Sequence, residues 1–190
     1  MNKQTTLITI VVLAVCITVG FFIITNMDKD DKSALSEKDL EGFDITLYEE
    51  DKMFVVLHDV TTLDGVPFNN SDIPKKYVLL TFWATWCPDC EKENPSLQYL
   101  QDNRADENFT VLAVSIDTSL DALEKYLNAK GYDFPVLINI KNNLWEEYFD
   151  WIPTSYLLGP DGYVIAKIVD TVYWDSEEAT RMLDYLMGSR

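Results

Sequence analysis

Histidine occurs once and cysteine three times in 190 residues. A disulfide-stapled scaffold needs more cysteines, and a closed zinc site would have to take every one of these four side chains, leaving too few soft ligands to expect one. Basic residues are also scarce, with 15 Lys and Arg against 32 Asp and Glu, a net charge of −17. A grip on a phosphate backbone would work against that field, so no nucleic-acid partner is expected. Internal repeats and low-complexity tracts are absent as well. What is abundant is apolar and aromatic sequence, 47% and 13%. A packed core can therefore form, and the length suits one ordinary domain with a tail.

Charge is missing altogether from residues 4 to 27, and the centre of this stretch, Leu7 to Ile24, is almost entirely Leu, Ile, Val, Ala and Phe. At ~1.5 Å per residue such a run spans the ~30 Å of a bilayer's hydrocarbon, so residues 5–25 are read as one transmembrane anchor, with Cys16 inside it. A cleaved signal peptide is the competing reading, but the run exceeds the usual ~7–15 residues and Thr25-Asn26-Met27 is not a small-residue cleavage site. A lipoprotein signal at Leu13-Ala14-Val15-Cys16 would place bulky Val15 before the lipid-bearing cysteine. Lys3 on one side and Lys29, Lys32 and Lys38 among acids on the other orient the span only weakly. From Met27 to Gly42 nine of sixteen residues are charged, so 26–42 is expected to be a solvated linker and 43–190 a single domain.

Within 43–190 the periodicity alternates. Met53 to Val60 is a short apolar run, and Thr61 to Asn70 carries turn chemistry at Asp64-Gly65 and Asn69-Asn70. Tyr77 to Trp83 is nearly continuous apolar sequence, as in a central strand buried on both faces. A helix is predicted from about Pro88 to Asn103, a second buried strand from Phe109 to Ile116, and a helix over Asp117 to Lys130 with Leu120, Leu123 and Leu127 on one face. Phe134 to Ile140 is a further strand and Asn143 to Phe149 a short helix. Ser155 to Leu158 and Tyr163 to Asp170 flank the turn Gly159-Pro160-Asp161-Gly162, and Glu177 to Met187 fills a terminal helix. The class is α/β with a mixed sheet flanked by helices.

Cys87-Pro88-Asp89-Cys90 stands directly after the predicted strand and at the start of the predicted helix. Two intervening residues let both sulfurs meet within one turn, and a dithiol that closes on itself delivers two electrons to a partner disulfide. Unpaired N–H groups and the positive end of the dipole favour the thiolate of the outer cysteine. Cys87 is accordingly the expected attacking thiol and Cys90 the resolving one. Half of a zinc site is the bland alternative, but no second pair exists, and His58 falls in an apolar run where a hydrogen-bonded strand histidine is expected. No metal or cofactor is required.

Phe82-Trp83-Ala84-Thr85-Trp86-Cys87-Pro88-Asp89-Cys90, with Pro95 downstream and Ile152-Pro153-Thr154 far beyond, resembles the thioredoxin superfamily, in particular its membrane-anchored TlpA/ResA-like branch. The resemblance covers most of residues 53 to 187 and implies a thioredoxin-like fold. It also implies that Pro153 is a cis-proline facing the cysteine pair, and that Trp86 and the Ile152 backbone meet an incoming extended segment. Thioredoxins proper place an Asp where this chain has Thr81, whereas the TlpA/ResA-like branch carries a Glu where Glu93 stands. Packed beside Phe82, Trp83 and Trp86, that carboxyl should be desolvated, its pKa raised, and able to exchange a proton with Cys90. Asp89 should oppose the dipole at Cys87 and make the pair more reducing. Pro95 is expected to kink the helix. The implied function is reduction of disulfides in partner proteins outside the cytosol, an apocytochrome or another envelope protein, with electrons from a membrane-embedded thiol reductase. Two alternatives are weaker. A thiol peroxidase needs a Thr where Ala84 stands, and a copper-delivery protein would use His58 and a wider cysteine spacing.

Overall fold

The computed structural model describes residues 36–48, 53–106, 108–141 and 143–188. The chain divides into two compact units, Met1–Lys38 and Asp39–Arg190. The expected anchor at 5–25, Cys16 within it and the linker up to residue 35 lie outside the described residues. Among the described residues no helix is long and apolar enough to cross a membrane. The end of the expected linker differs from a solvated tether. Glu37–Leu40 forms a 3-10 turn in which Asp39 is buried, and its carboxylate accepts from Arg181 Nε at 2.9 Å. The packed unit therefore begins at Asp39, four residues earlier than expected.

Eight strands form one mixed sheet in the order β1-β8-β7-β4-β5-β6-β2-β3. They are β1 (Asp44–Leu47), β2 (Val60–Thr62), β3 (Pro67–Phe68), β4 (Tyr77–Trp83), β5 (Phe109–Ser115), β6 (Val136–Ile138), β7 (Thr154–Leu158) and β8 (Val164–Val169). Interleaved with them are helices α1 (Pro88–Arg104), α2 (Leu120–Lys130), α3 (Trp145–Tyr148) and α4 (Glu177–Gly188). β4 runs parallel to β5 and antiparallel to β7, so it lies at the centre of the sheet. Every residue of β5 is buried, as is β4 from Val78 onward, which is why both strands read as nearly continuous apolar sequence. Burying a Leu, Val or Phe here contributes roughly 1.5–3 kcal/mol each.

Helix boundaries follow local chemistry. Cys87 is the N-cap of α1 and Pro88 sits in its first turn, where proline's missing N–H costs nothing. The helix continues through Pro95 to Arg104. The helix expected from Asp117 begins only at Leu120, because Asp117 is bound into the preceding loop and Ser119 caps the helix, its hydroxyl accepting from Ala122 N. Gly131 ends α2 at φ 72°, a left-handed position that glycine adopts without strain.

Besides the β2–β3 hairpin within the stretch expected to be turn, two further segments differ from expectation. Met53 to Asp59 is not a strand, although Val55 and Leu57 are buried between exposed Phe54 and Val56. Side chains take its backbone groups instead: Val56 N donates to the Tyr148 hydroxyl, Leu57 N donates to Asn70 Oδ1, and Asn70 Nδ2 donates to the Val55 carbonyl. His58 thus lies ahead of β2 rather than in a strand, with Nε2 3.0 Å from Glu147 and Nδ1 3.1 Å from Asn143. The second difference is β1, which was not anticipated and pairs antiparallel with β8 at the sheet edge.

Candidate active site

The C-terminal end of β4 delivers Cys87 to the start of α1, and Cys87 and Cys90 are joined as a disulfide with Cα atoms 5.3 Å apart. Cys87 is the outer member at 5% exposed and Cys90 is fully buried. Cys90 N donates to Cys87 Sγ at 3.1 Å, so the first sulfur occupies the N-terminal donor site that a capping oxygen would normally fill. That N–H and the helix dipole favour negative charge on this sulfur once the pair is reduced. The two sulfurs thus differ in exposure and in their place at the helix start.

The loop ahead of Cys87 is pinned by a residue that the sequence did not single out. Asp117 is buried after β5 and accepts from Thr85 N at 2.9 Å, Thr85 Oγ1 at 2.7 Å and Ser115 Oγ at 2.7 Å. These bonds hold Ala84 to Trp86 against β5 and fix where Cys87 emerges. Trp86 itself points outward at 60% exposure. It is therefore not part of the apolar packing expected around Glu93, although Phe82 and Trp83 are fully buried.

Across from the cysteines, the Ile152-Pro153 peptide is cis and the Ile152 carbonyl lies 3.6 Å from Cys87 Sγ. Pro153 is buried and Ile152 partly exposed at the start of β7. The Pro153 carbonyl accepts from Asp170 N at 3.2 Å, which ties this loop to the segment leaving β8.

That same segment closes over Glu93. The carboxyl is 1% exposed, and its Oε1 accepts from Trp174 Nε1 at 2.7 Å and Val172 N at 3.3 Å. Oε2 is buried and has no hydrogen-bond partner among the described residues. Burial raises the Glu93 pKa to about 8, against the opposing pull of the Trp174 and Val172 hydrogen bonds. Ser96, one turn on, donates to the Glu93 and Val172 carbonyls and accepts from Trp174 N, locking residues 172–174 onto α1. Trp174 lies 81 residues from Glu93 in the chain, and no local pattern marks it. The position that is Asp in thioredoxins is a buried Thr81 on β4, so the buried acid nearest in sequence to the pair comes from the helix.

Asp89 does not act alone at the helix start. Its carboxylate pairs with Lys92 at 2.7 Å on the surface, and the opposition to the dipole expected from it is shared with that ammonium. Pro88 and Asp89 are both exposed between the cysteines. Ala84 is buried and has no hydroxyl to offer a peroxide. Among the described residues no group of three or more His, Cys, Asp or Glu side chains is gathered for a metal ion.

Comparison with known proteins agrees with this geometry. ResA, a thiol-disulfide oxidoreductase of Bacillus anthracis, is 33% identical over 111 residues, which is 58% of this chain and 64% of ResA. The thioredoxin-like protein YneN of Bacillus subtilis is 38% identical over 107 residues, 54% of this chain and 62% of that protein. The chain thus matches a little under two thirds of the length of these relatives. The solved structure of a thioredoxin-family thiol:disulfide interchange protein from Chlorobium tepidum superposes with a TM-score of 0.56 at 25% identity, covering 75% of this chain and 98% of that one. Residues 52–167, from the segment before β2 through the cysteine pair and cis-proline to β8, match the AhpC/TSA family, and the chain belongs to this thioredoxin-like family.

Proposed function

We propose that the protein is a thiol-disulfide oxidoreductase that reduces disulfides in partner proteins, held at the cell membrane by residues 5–25 with its domain on the extracytoplasmic side. The observation that carries this reading is the Cys87–Cys90 pair at the α1 N-terminus, with the outer sulfur against the Ile152 carbonyl and an acid buried one turn behind. In the reduced enzyme the Cys87 thiolate attacks one sulfur of the substrate disulfide. A mixed disulfide forms and the other substrate sulfur leaves as a thiolate. Cys90 then attacks Cys87 Sγ, releasing the second substrate sulfur as a thiolate and closing the enzyme disulfide, so two electrons pass to the substrate and its two thiolates take protons from solvent. Glu93 in its ionised form takes the Cys90 proton during resolution and returns it on reduction. A membrane-embedded thiol reductase restores the dithiol.

Insulin reduction tests the activity. Turnover of insulin disulfides in the presence of dithiothreitol is expected for the full-length chain and is expected to vanish with Cys87→Ser; activity that survives this change rejects the reading. Disulfides persist chiefly outside the cytosol. After mild reduction of intact cells, Cys87 is therefore expected to react with a membrane-impermeant thiol reagent, and labelling only after lysis rejects the topology.

A further inference from the structure

Two indoles flank the cysteine pair and both face solvent. Trp86 immediately precedes Cys87 and is 60% exposed; Trp151 immediately precedes the Ile152 that touches Cys87 Sγ and is 66% exposed. Tryptophan is seldom left this open, and a pair on either side of a reactive sulfur marks a contact surface. The Trp151 backbone is held in place, its carbonyl accepting from Thr154 Oγ1 at 2.9 Å.

Acidic side chains predominate around this surface. Asp150 adjoins Trp151 and is exposed. Asp170, also exposed, donates its N–H to the Pro153 carbonyl beside the site. Asp170 and exposed Tyr173 lie within electrostatic reach of Lys92, whose ammonium pairs with Asp89 two residues after Cys87. Lys92 is thus taken up by Asp89, while Asp150 and Asp170 form no ion pair among the described residues. The net charge of −17 deepens the same field.

Exposed indole faces attract ammonium and guanidinium groups, and carboxylates without an ion-pair partner beside them, of which Asp170 accepts from Thr171 N at 2.7 Å, select for the same partners while repelling acidic ones. We infer that this face docks a cationic, extended polypeptide segment that carries the substrate disulfide, with Trp86 and Trp151 receiving its basic side chains and Asp150 and Asp170 its charge. The inference rests on the thiol-disulfide reading of the site and adds the chemical class of its substrate. Trp151 is its specificity-determining residue.

The test compares two cystine peptides of identical core sequence, one flanked by lysines and the other by glutamates, reduced by the full-length chain in non-ionic micelles. A kcat/KM ratio of ~10 or more in favour of the lysine peptide is expected at ~0.01 M salt. It should contract several-fold at ~1 M, because the Debye length falls from ~30 to ~3 Å. Trp151→Ala and the pair Asp150→Asn, Asp170→Asn should each lower the ratio several-fold. Because a ratio is read, a general loss of activity or stability in a variant cancels. A ratio near one or below, or one that survives these substitutions, overturns the inference while leaving the oxidoreductase reading intact. Failure to reduce either peptide or insulin removes both. Trp151-dependent self-association in sedimentation, with a ratio near one, assigns the face to a second copy of the chain and also overturns the inference.

Discussion

Replacing Glu93 with glutamine should stabilise the protein at alkaline pH, although the residue sits at the heart of the site. The native pKa is raised from the ordinary 4.5 to about 8, chiefly by burial. Between these two values the unfolded chain has lost the Glu93 proton and the native state still holds it, so native stability falls as pH rises. The contribution is fully present below pH 4.5 and lost as pH passes about 8. At ~1.4 kcal/mol per pH unit the loss is about 3 kcal/mol by pH 7 and about 5 kcal/mol above pH 8. The substituted glutamine cannot ionise, keeps the oxygen that accepts from Trp174 and Val172, and places an amide where Oε2 has no partner. That unpaired amide costs about 1–3 kcal/mol, independent of pH. Urea unfolding followed by tryptophan fluorescence at pH 5 to 9 reads the difference. The variant should be equal to or less stable than the parent near pH 5 and more stable by several kcal/mol at pH 9. Parallel stability profiles for the two proteins would refute the assignment of a buried, proton-holding carboxyl.

The same substitution has a kinetic signature: Glu93→Gln is expected to lower the apparent pKa of the reduced cysteines and to slow resolution of the mixed disulfide more than the initial attack, as measured by stopped-flow thiol titration and single-turnover exchange. Trp174→Phe removes the 2.7 Å indole donor that holds the Glu93 pKa down, so the pH midpoint of resolution should move upward while a retained core shape keeps the fold. Asp117→Ala strips partners from the buried Ser115 hydroxyl and the Thr85 amide. A loss of about 2–4 kcal/mol is expected in urea unfolding, with a larger fall in kcat/KM than an equally destabilising Leu123→Ala change in α2 produces.

What the sequence revealed and what it concealed divide along one physical line. β4 and the start of α1 were legible residue for residue, because a strand buried on both faces is nearly continuous apolar sequence and a proline after the cap marks a helix start. Cys87, Cys90 and Glu93 share that segment, so their placement on one helix was legible too. What encloses them was not. Trp174 and Val172 around Glu93, and Asp117 behind Thr85, are joined to the motif by contacts across 32 to 81 residues, which leave no local pattern. Trp86, expected both to meet an incoming segment and to pack beside Glu93, lies outside and does not take part in that packing. β1 was missed for a related reason: its four residues alternate weakly, and their pairing with β8 supplies the order. The segment before β2 shows the converse, alternating like a strand while Asn70 and Tyr148 take its backbone bonds.

The division of labour between the two cysteines is tested most directly by trapping. With Cys90→Ser the mixed disulfide formed at Cys87 cannot resolve, whereas with Cys87→Ser the buried Cys90 is left without an attacking partner. Each variant of the full-length chain is incubated with a protein disulfide substrate, quenched with acid and resolved by non-reducing electrophoresis and mass spectrometry. Accumulation of a covalent adduct at Cys87 in the Cys90→Ser protein, and none at Cys90 in the Cys87→Ser protein, is the predicted result. Adducts that form at Cys90 alone would contradict it.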